Sequence, residues 1–104
     1  MGVNISHGSN QWGQERLSYT SVEEMGEQVR RAVSRWDWHK VSHLFDERRP
    51  DILYIDPKQV GEIADILAKA AKHRKMPPGW ADTVRRWAAA GYRAWQAGEP
   101  WSWR

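Results

Sequence analysis

Cysteine is absent from the 104 residues of this chain. Disulfide bonds, thiolate metal sites and cysteine nucleophiles are therefore excluded. The chain also lacks an apolar run close to the twenty or so residues that a helix needs to cross a bilayer. Its beginning has no apolar centre of the kind that a signal peptide carries. We therefore expect a cytoplasmic protein without a membrane partner.

Motifs of common enzyme classes are missing as well. The chain contains neither GxGxxG nor GxxxxGKS/T, the glycine-rich patterns that bind phosphate groups. It contains neither GxSxG nor HExxH, which are typical of serine hydrolases and zinc proteases. We therefore expect a non-enzymatic protein that uses no cofactor.

Tryptophan is plentiful, with eight residues, whereas phenylalanine occurs once. Each tryptophan side chain can bury on the order of 150–250 Å². At 104 residues the chain is long enough to bury one hydrophobic core. We therefore expect a single domain over residues 1–104.

The chain is expected to be organised around the apolar run Ile52–Ile55. Four consecutive apolar residues are typical of an inner strand that is covered on both faces. Asp56 then offers an N-cap carboxylate, and Pro57 suits the first position of a helix. Apolar residues at helical spacing continue this helix to Ala71.

Two further strands are predicted before the inner one, because apolar and polar residues alternate from Val3 to His7 and from Arg16 to Thr20. Ser21, with Glu24 three residues later, predicts a capping box at the start of the first helix. The apolar face of that helix is predicted to contain Val22, Met25, Val29, Val33 and Trp36.

The stretch 36–45 allows two interpretations. Asp37 can cap a second, shorter helix after a break, or the first helix can continue through the stretch. A last helix begins near Trp80 and stops at Gly98, with Trp87 and Trp95 predicted in the core. The order ββααβαα predicts an α+β domain, a small three-stranded sheet with helices mainly on one face. A mostly helical bundle with a hairpin is the alternative.

Three tryptophans lie outside the predicted helices and strands. Trp12 is in a loop, and Trp101 and Trp103 are in the tail next to Arg104. The tail is predicted to be extended, so Trp101 and Trp103 point the same way. These four residues are candidate partner-binding residues. The alternative, which we favour, is that the tail folds back on the domain, because two exposed neighbouring indoles would leave a large apolar patch.

The formal net charge is +3, and basic residues concentrate at two predicted helix ends. Cations at helix C-termini are favoured by the macrodipole in any helical protein. If the two ends lie on one side of the molecule, they also form a candidate nucleic-acid-binding surface. Its residues are Arg30, Arg31, Arg35, Lys69, Lys72, Arg74 and Lys75.

Histidines provide weak candidates for a ligand site. His39 and His43 are four residues apart and would share a helix face, but no third metal ligand is specified. His7 lies on the apolar side of the first predicted strand. We expect it to be bonded to a backbone carbonyl, because buried polar groups need partners; the alternative is a polar group in a ligand pocket.

The motifs Ile5-Ser6-His7-Gly8 and Glu99-Pro100-Trp101-Ser102-Trp103-Arg104 resemble the end motifs of a family of small uncharacterised actinobacterial proteins. This resemblance implies a hairpin, helices, a short strand and a helix opened by Asp-Pro or Thr-Pro. It implies no activity and no catalytic residues. It indicates an actinobacterial or actinophage source.

Three functions remain after these exclusions. We expect a small accessory or regulatory protein, encoded by a phage or mobile element, that binds a protein partner. The alternatives are a nucleic-acid-binding accessory protein and a binder of a small ligand or metal through His7, His39 or His43. An exposed aromatic cluster would favour the first function, and a continuous basic surface would favour the second.

Overall fold

A computed structural model describes residues 2–8, 15–46 and 48–104 of the chain. The strands are β1 (Gly2–His7), β2 (Glu15–Ser18), β3 (Leu53–Ile55) and β4 (Trp101–Trp103). The α-helices are α1 (Tyr19–Ala32), α2 (Arg35–Val41), α3 (Pro57–Lys72) and α4 (Pro78–Ala97). A short 3₁₀ helix, Ser42–Leu44, follows α2 directly.

The tail of the chain forms a strand inside the sheet. The strand order is β2-β1-β4-β3, and each neighbouring pair is antiparallel. The α+β class is therefore confirmed, but the prediction of three strands is wrong, because β4 adds a fourth. The segment Trp101–Trp103 has only three residues, and an alternating pattern of this length is too short to predict a strand that pairs on both sides.

The prediction that Ile52–Ile55 is an inner strand covered on both faces is also wrong. The segment contributes β3, which is the edge strand of the sheet and, among the described strands, pairs with β4 alone. Ile55 is buried, whereas Tyr54 is 61% exposed and Ile52 is 50% exposed. The consecutive apolar residues thus lie on both faces of β3, but only one of these faces packs against the core.

Helix starts follow local capping chemistry, at positions partly different from those predicted. Ser18, rather than Ser21, caps α1, because the Ser18 hydroxyl accepts the Ser21 amide at 3.1 Å. Ser34, rather than Asp37, caps α2 and accepts the Asp37 amide at 3.1 Å. Of the two interpretations of this stretch, the break and second short helix are therefore correct.

Two other helix boundaries are confirmed. The Asp56 carboxylate accepts the Lys58 amide at 2.8 Å, and Pro57 is the first residue of α3. Gly98 ends α4 in the left-handed conformation, with φ of 67°. Both boundaries are determined by adjacent residues.

The core joins the sheet to the helices through an aromatic cluster. Trp103 makes edge-to-face contacts with Trp101, Phe45 and Trp87, at centroid distances of 5.2, 5.8 and 5.6 Å. Trp38 extends the cluster by stacking on Phe45 at 5.9 Å. Because such pairs add to the free energy of apolar burial, the cluster fixes how the helices pack on one face of the sheet.

Trp95 was predicted in the core but is 54% exposed. It follows the fully buried Trp87 by eight residues, which rotates its position about 80° around the helix. Its indole instead covers Gly61 of α3, where an added Cβ would lie 2.9 Å from Nε1. The predicted apolar face of α4 therefore turns away from the core before the helix ends.

Candidate nucleic-acid interface

The C-terminal end of α1 presents exposed arginines. Arg30 and Arg31 are in its last turn, and Arg35 begins α2 after the short break at Ser34. All three side chains are exposed. The break therefore keeps the three cations close together along the chain.

The C-terminal end of α3 lies beside this group. Lys69, in the last turn of α3, places its Nζ 3.7 Å from an Asp37 carboxylate oxygen in the first turn of α2. One turn further along α2, Lys40 forms an ion pair with Glu62 of α3 at 2.5 Å. The two contacts hold α2 along α3, so the two predicted basic regions meet at one end of the molecule.

We call this surface the basic end. Its members are all exposed, and they are Arg30, Arg31, Arg35, Lys69, Lys72, Arg74 and Lys75. Among the residues that the structure describes, Lys69 is the only member with an ion-pair partner. Arg74 and Lys75 continue the chain beyond α3, and the Lys75 amide donates to His73 Nδ1. Lys69 and Lys72 line a groove together with Asp37, Glu62 and Asp65, so carboxylates offset the positive charge on the α3 side of this end.

Trp36 lies within the basic end and was missed as a surface residue. It was predicted on the buried face of the first helix, but it belongs to α2 and is 79% exposed. Residues two apart on a helix are separated by about 200°, so the packing of Trp38 against Phe45 leaves Trp36 on the outer side.

His39 and His43 also lie on exposed positions of α2 and the 3₁₀ helix that follows. Partial burial lowers the pKa of His43, which favours its neutral form. Within residues 2–8, 15–46 and 48–104, no three histidine or carboxylate side chains come together as metal ligands. The geometry therefore adds no third ligand to this histidine pair.

A polar groove of about 360 Å³ adjoins the basic end. Asp37, Lys40, Glu62 and Lys69 line it, so its charges are mixed. Tyr92 also lines it and donates a hydrogen bond to Asp65. Burial, together with this bond to a carboxylate, raises the pKa of Tyr92 to about 12. Two ion pairs therefore join α2 to α3, and a hydrogen bond from a neutral tyrosine joins α4 to α3.

The tail tryptophans cannot act as surface anchors in this fold. Trp101 is 0% exposed and Trp103 is 1% exposed, because β4 places both indoles between the sheet and the helices. Folding back of the tail was the favoured alternative, and it is correct. Trp12 lies outside the described residues, and Arg104 is exposed with its guanidinium 3.4 Å from the Tyr54 hydroxyl.

His7 has a different partner from the one predicted. Its Nδ1 lies 3.2 Å from a Glu99 carboxylate oxygen rather than against a backbone carbonyl. Gly8 has φ of 53°, and a Cβ there would collide with the same carboxylate. Together with the pairing of Ile5 with Trp103, this contact makes the two end motifs one structural unit, not two separate sites.

The second face of the sheet is polar. Tyr54, Ser102 and Ser6 lie side by side across β3, β4 and β1, and the Ser102 hydroxyl donates to the Ser6 carbonyl at 3.1 Å. Arg16 of β2 is exposed on the same side of the sheet, opposite Asn4. Ser6 and Ser102 are each 5% exposed, whereas Tyr54 and Ile52 at the β3 edge are 61% and 50% exposed.

Comparisons with known proteins identify a family without a known activity. Residues 8–104 match the model of a family described as a domain of unknown function, DUF7739. No curated protein and no solved structure matches the chain. Among the helices that the structure describes, none combines the length and apolar character needed to cross a membrane. Because the match covers most of the sequence, the chain belongs to the DUF7739 family.

Proposed function

We propose that the chain is a small, non-enzymatic accessory protein that binds nucleic acid through the basic end. The contact between Lys69 and Asp37 carries this proposal, because it brings the cations of α3 beside those of α1 and α2. An actinobacterial or actinophage origin belongs to the same proposal and is supported by the resemblance of the end motifs. The proposed activity requires no cofactor.

The chemistry of a nucleic-acid backbone suits this surface. A DNA duplex carries one negative charge per roughly 1.7 Å of its axis. A surface formed by the end of α1, the start of α2 and the end of α3 therefore faces several phosphates at once. Arginine can bind a phosphate with two parallel N–H bonds, and Arg30, Arg31 and Arg35 have no ion-pair partner among the described residues. Their guanidinium groups are therefore available to such a ligand.

The salt dependence of binding tests the proposal. We expect the protein to bind a fluorescein-labelled DNA oligonucleotide of 20 nucleotides at 50 mM salt. Its affinity is expected to fall about a thousandfold by 200 mM salt, as for about six phosphate contacts. Fluorescence anisotropy measures both affinities. An absence of binding at 50 mM salt, or an affinity that does not change with salt, would contradict a nucleic-acid function.

A protein partner is the second candidate function, and one observation favours it. Tyr54 and Ile52 are exposed at the β3 edge of the sheet, and Arg104 lies beside Tyr54. Tyrosine and arginine often dominate the binding energy of protein interfaces. This surface replaces Trp101 and Trp103 as the candidate site for the partner.

The second candidate is tested with a partner identified by cross-linking in source cells. Tyr54→Ser is expected to weaken binding of that partner at least tenfold in the purified pair, as is usual for a central interface residue. Trp95→Ser, which removes an exposed aromatic residue from α4, is the matched control. Equal affinities of wild type and Tyr54→Ser would exclude this face.

A further inference from the structure

Trp36 is exposed in a chain that otherwise buries much of its aromatic surface. It is 79% exposed, whereas Trp87, Trp101 and Trp103 are at most 1% exposed. The packing of α2 does not require its indole, because Val41 is buried and Trp38 stacks on Phe45. A single exposed indole is ordinary on a protein surface, so its surroundings decide which ligand it can bind.

The surroundings of Trp36 restrict what it can bind. Trp36 is in the first turn of α2, directly after Arg35 and directly before Asp37, whose carboxylate lies 3.7 Å from Lys69 Nζ. An exposed aromatic ring therefore shares the first turn of α2 with Arg35 and with the partner of Lys69. This arrangement combines a ring on which a base can stack with cations that can contact a polyanion.

We infer that the basic end prefers single-stranded nucleic acid and that Trp36 stacks on one of its bases. This inference rests on the proposed function. In a duplex the faces of the bases are covered by neighbouring bases. The Trp36 indole could stack on a duplex base only if that base were first unstacked from its neighbours. In a single strand the same faces are open. Stacking on an aromatic side chain tolerates any base, because every base has a π face.

Anisotropy titrations with labelled oligothymidylate and a labelled duplex of equal length test the inference. Wild type is expected to bind the single strand at least tenfold more tightly than the duplex. Trp36→Ala is expected to lose about tenfold in affinity for the single strand and little for the duplex, whereas Trp36→Phe retains most of the affinity. An abasic strand is expected to bind wild type as weakly as the normal strand binds Trp36→Ala.

Trp95→Ala is the matched control, because Trp95 is 54% exposed on a different helix. Equal losses from Trp36→Ala on both ligands, or no loss on either, would overturn the inference while leaving the proposed function in place. Binding of neither ligand by wild type at 50 mM salt would instead remove the proposed function. Weakened binding of Trp36→Ala to anionic vesicles, with oligothymidylate binding unchanged, would assign the indole to a lipid surface and would also overturn the inference.

Discussion

Trp103→Ala is expected to lower the free energy of unfolding by about 3–5 kcal/mol, the usual cost of deleting a large buried aromatic side chain. Trp103 is 1% exposed and contacts three other aromatic rings. It also belongs to β4, which pairs with β1 and β3. Because domains are stable by only about 5–15 kcal/mol, this loss removes a large part of the stability. Urea unfolding followed by circular dichroism measures it.

Trp36→Ala provides the matched control for that measurement. It deletes the same atoms from a side chain that is 79% exposed, so we expect a change within about 0.5 kcal/mol. If Trp103→Ala yields too little folded protein for a titration, Trp103→Phe gives a smaller loss in the same direction. Similar unfolding free energies for the alanine variants of Trp103 and Trp36 would show that β4 is not part of the core.

Reversing two charges of the basic end is expected to abolish most nucleic-acid binding. In Arg30→Glu/Arg35→Glu, two phosphate contacts are replaced by two repulsive charges, and we expect at least a hundredfold loss of affinity at 50 mM salt. Neither arginine has an ion-pair partner among the described residues. Both side chains are exposed, so the fold is expected to tolerate the change. Anisotropy with a labelled 20-mer measures the loss.

Arg16→Glu/Arg104→Glu is the control for net charge. It changes the formal charge by the same amount, but Arg16 is in β2 and Arg104 directly follows β4, so neither belongs to the basic end. We expect this variant to lose less than tenfold in affinity, because salt screens the attraction between phosphate groups and charges that lie far from them. Equal losses for the two double variants would mean that total charge, not the basic end, determines binding.

Local chemistry made part of the fold predictable. The start of α3 follows from Asp56 and Pro57, and the end of α4 follows from Gly98. In each case one or two adjacent residues either cap the free backbone amides of the helix or end it. The predicted burial of the folded-back tail has a similar basis, since Trp101 and Trp103 together would expose a large apolar surface.

The order of the strands could not be predicted in the same way. Pairing of Ile5 with Trp103 joins residues from opposite ends of the chain, and no local pattern specifies such a contact. Without β4, the run Ile52–Ile55 was the most apolar segment available for the centre of the sheet. Burial of one face only, which leaves Tyr54 exposed, depends on where the helices pack.

The composition of the candidate site was predictable, but its assembly was not. The seven cations were identified from their positions at helix ends, whereas their convergence depends on the contact between Lys69 and Asp37. Trp36 was missed because one helical period was continued through the break. Ser34 followed by Asp37 three residues later is a helix-start pattern that would have located the break.

Amide chemical shifts of the ¹⁵N-labelled protein, recorded during titration with oligothymidylate, test most directly that the basic end is the binding surface. We predict that the largest shifts fall in residues 30–43 and 66–75, which include Trp36 and Lys69. Shifts concentrated instead on β1, β3 and β4, or the absence of shifts at low salt, would contradict it.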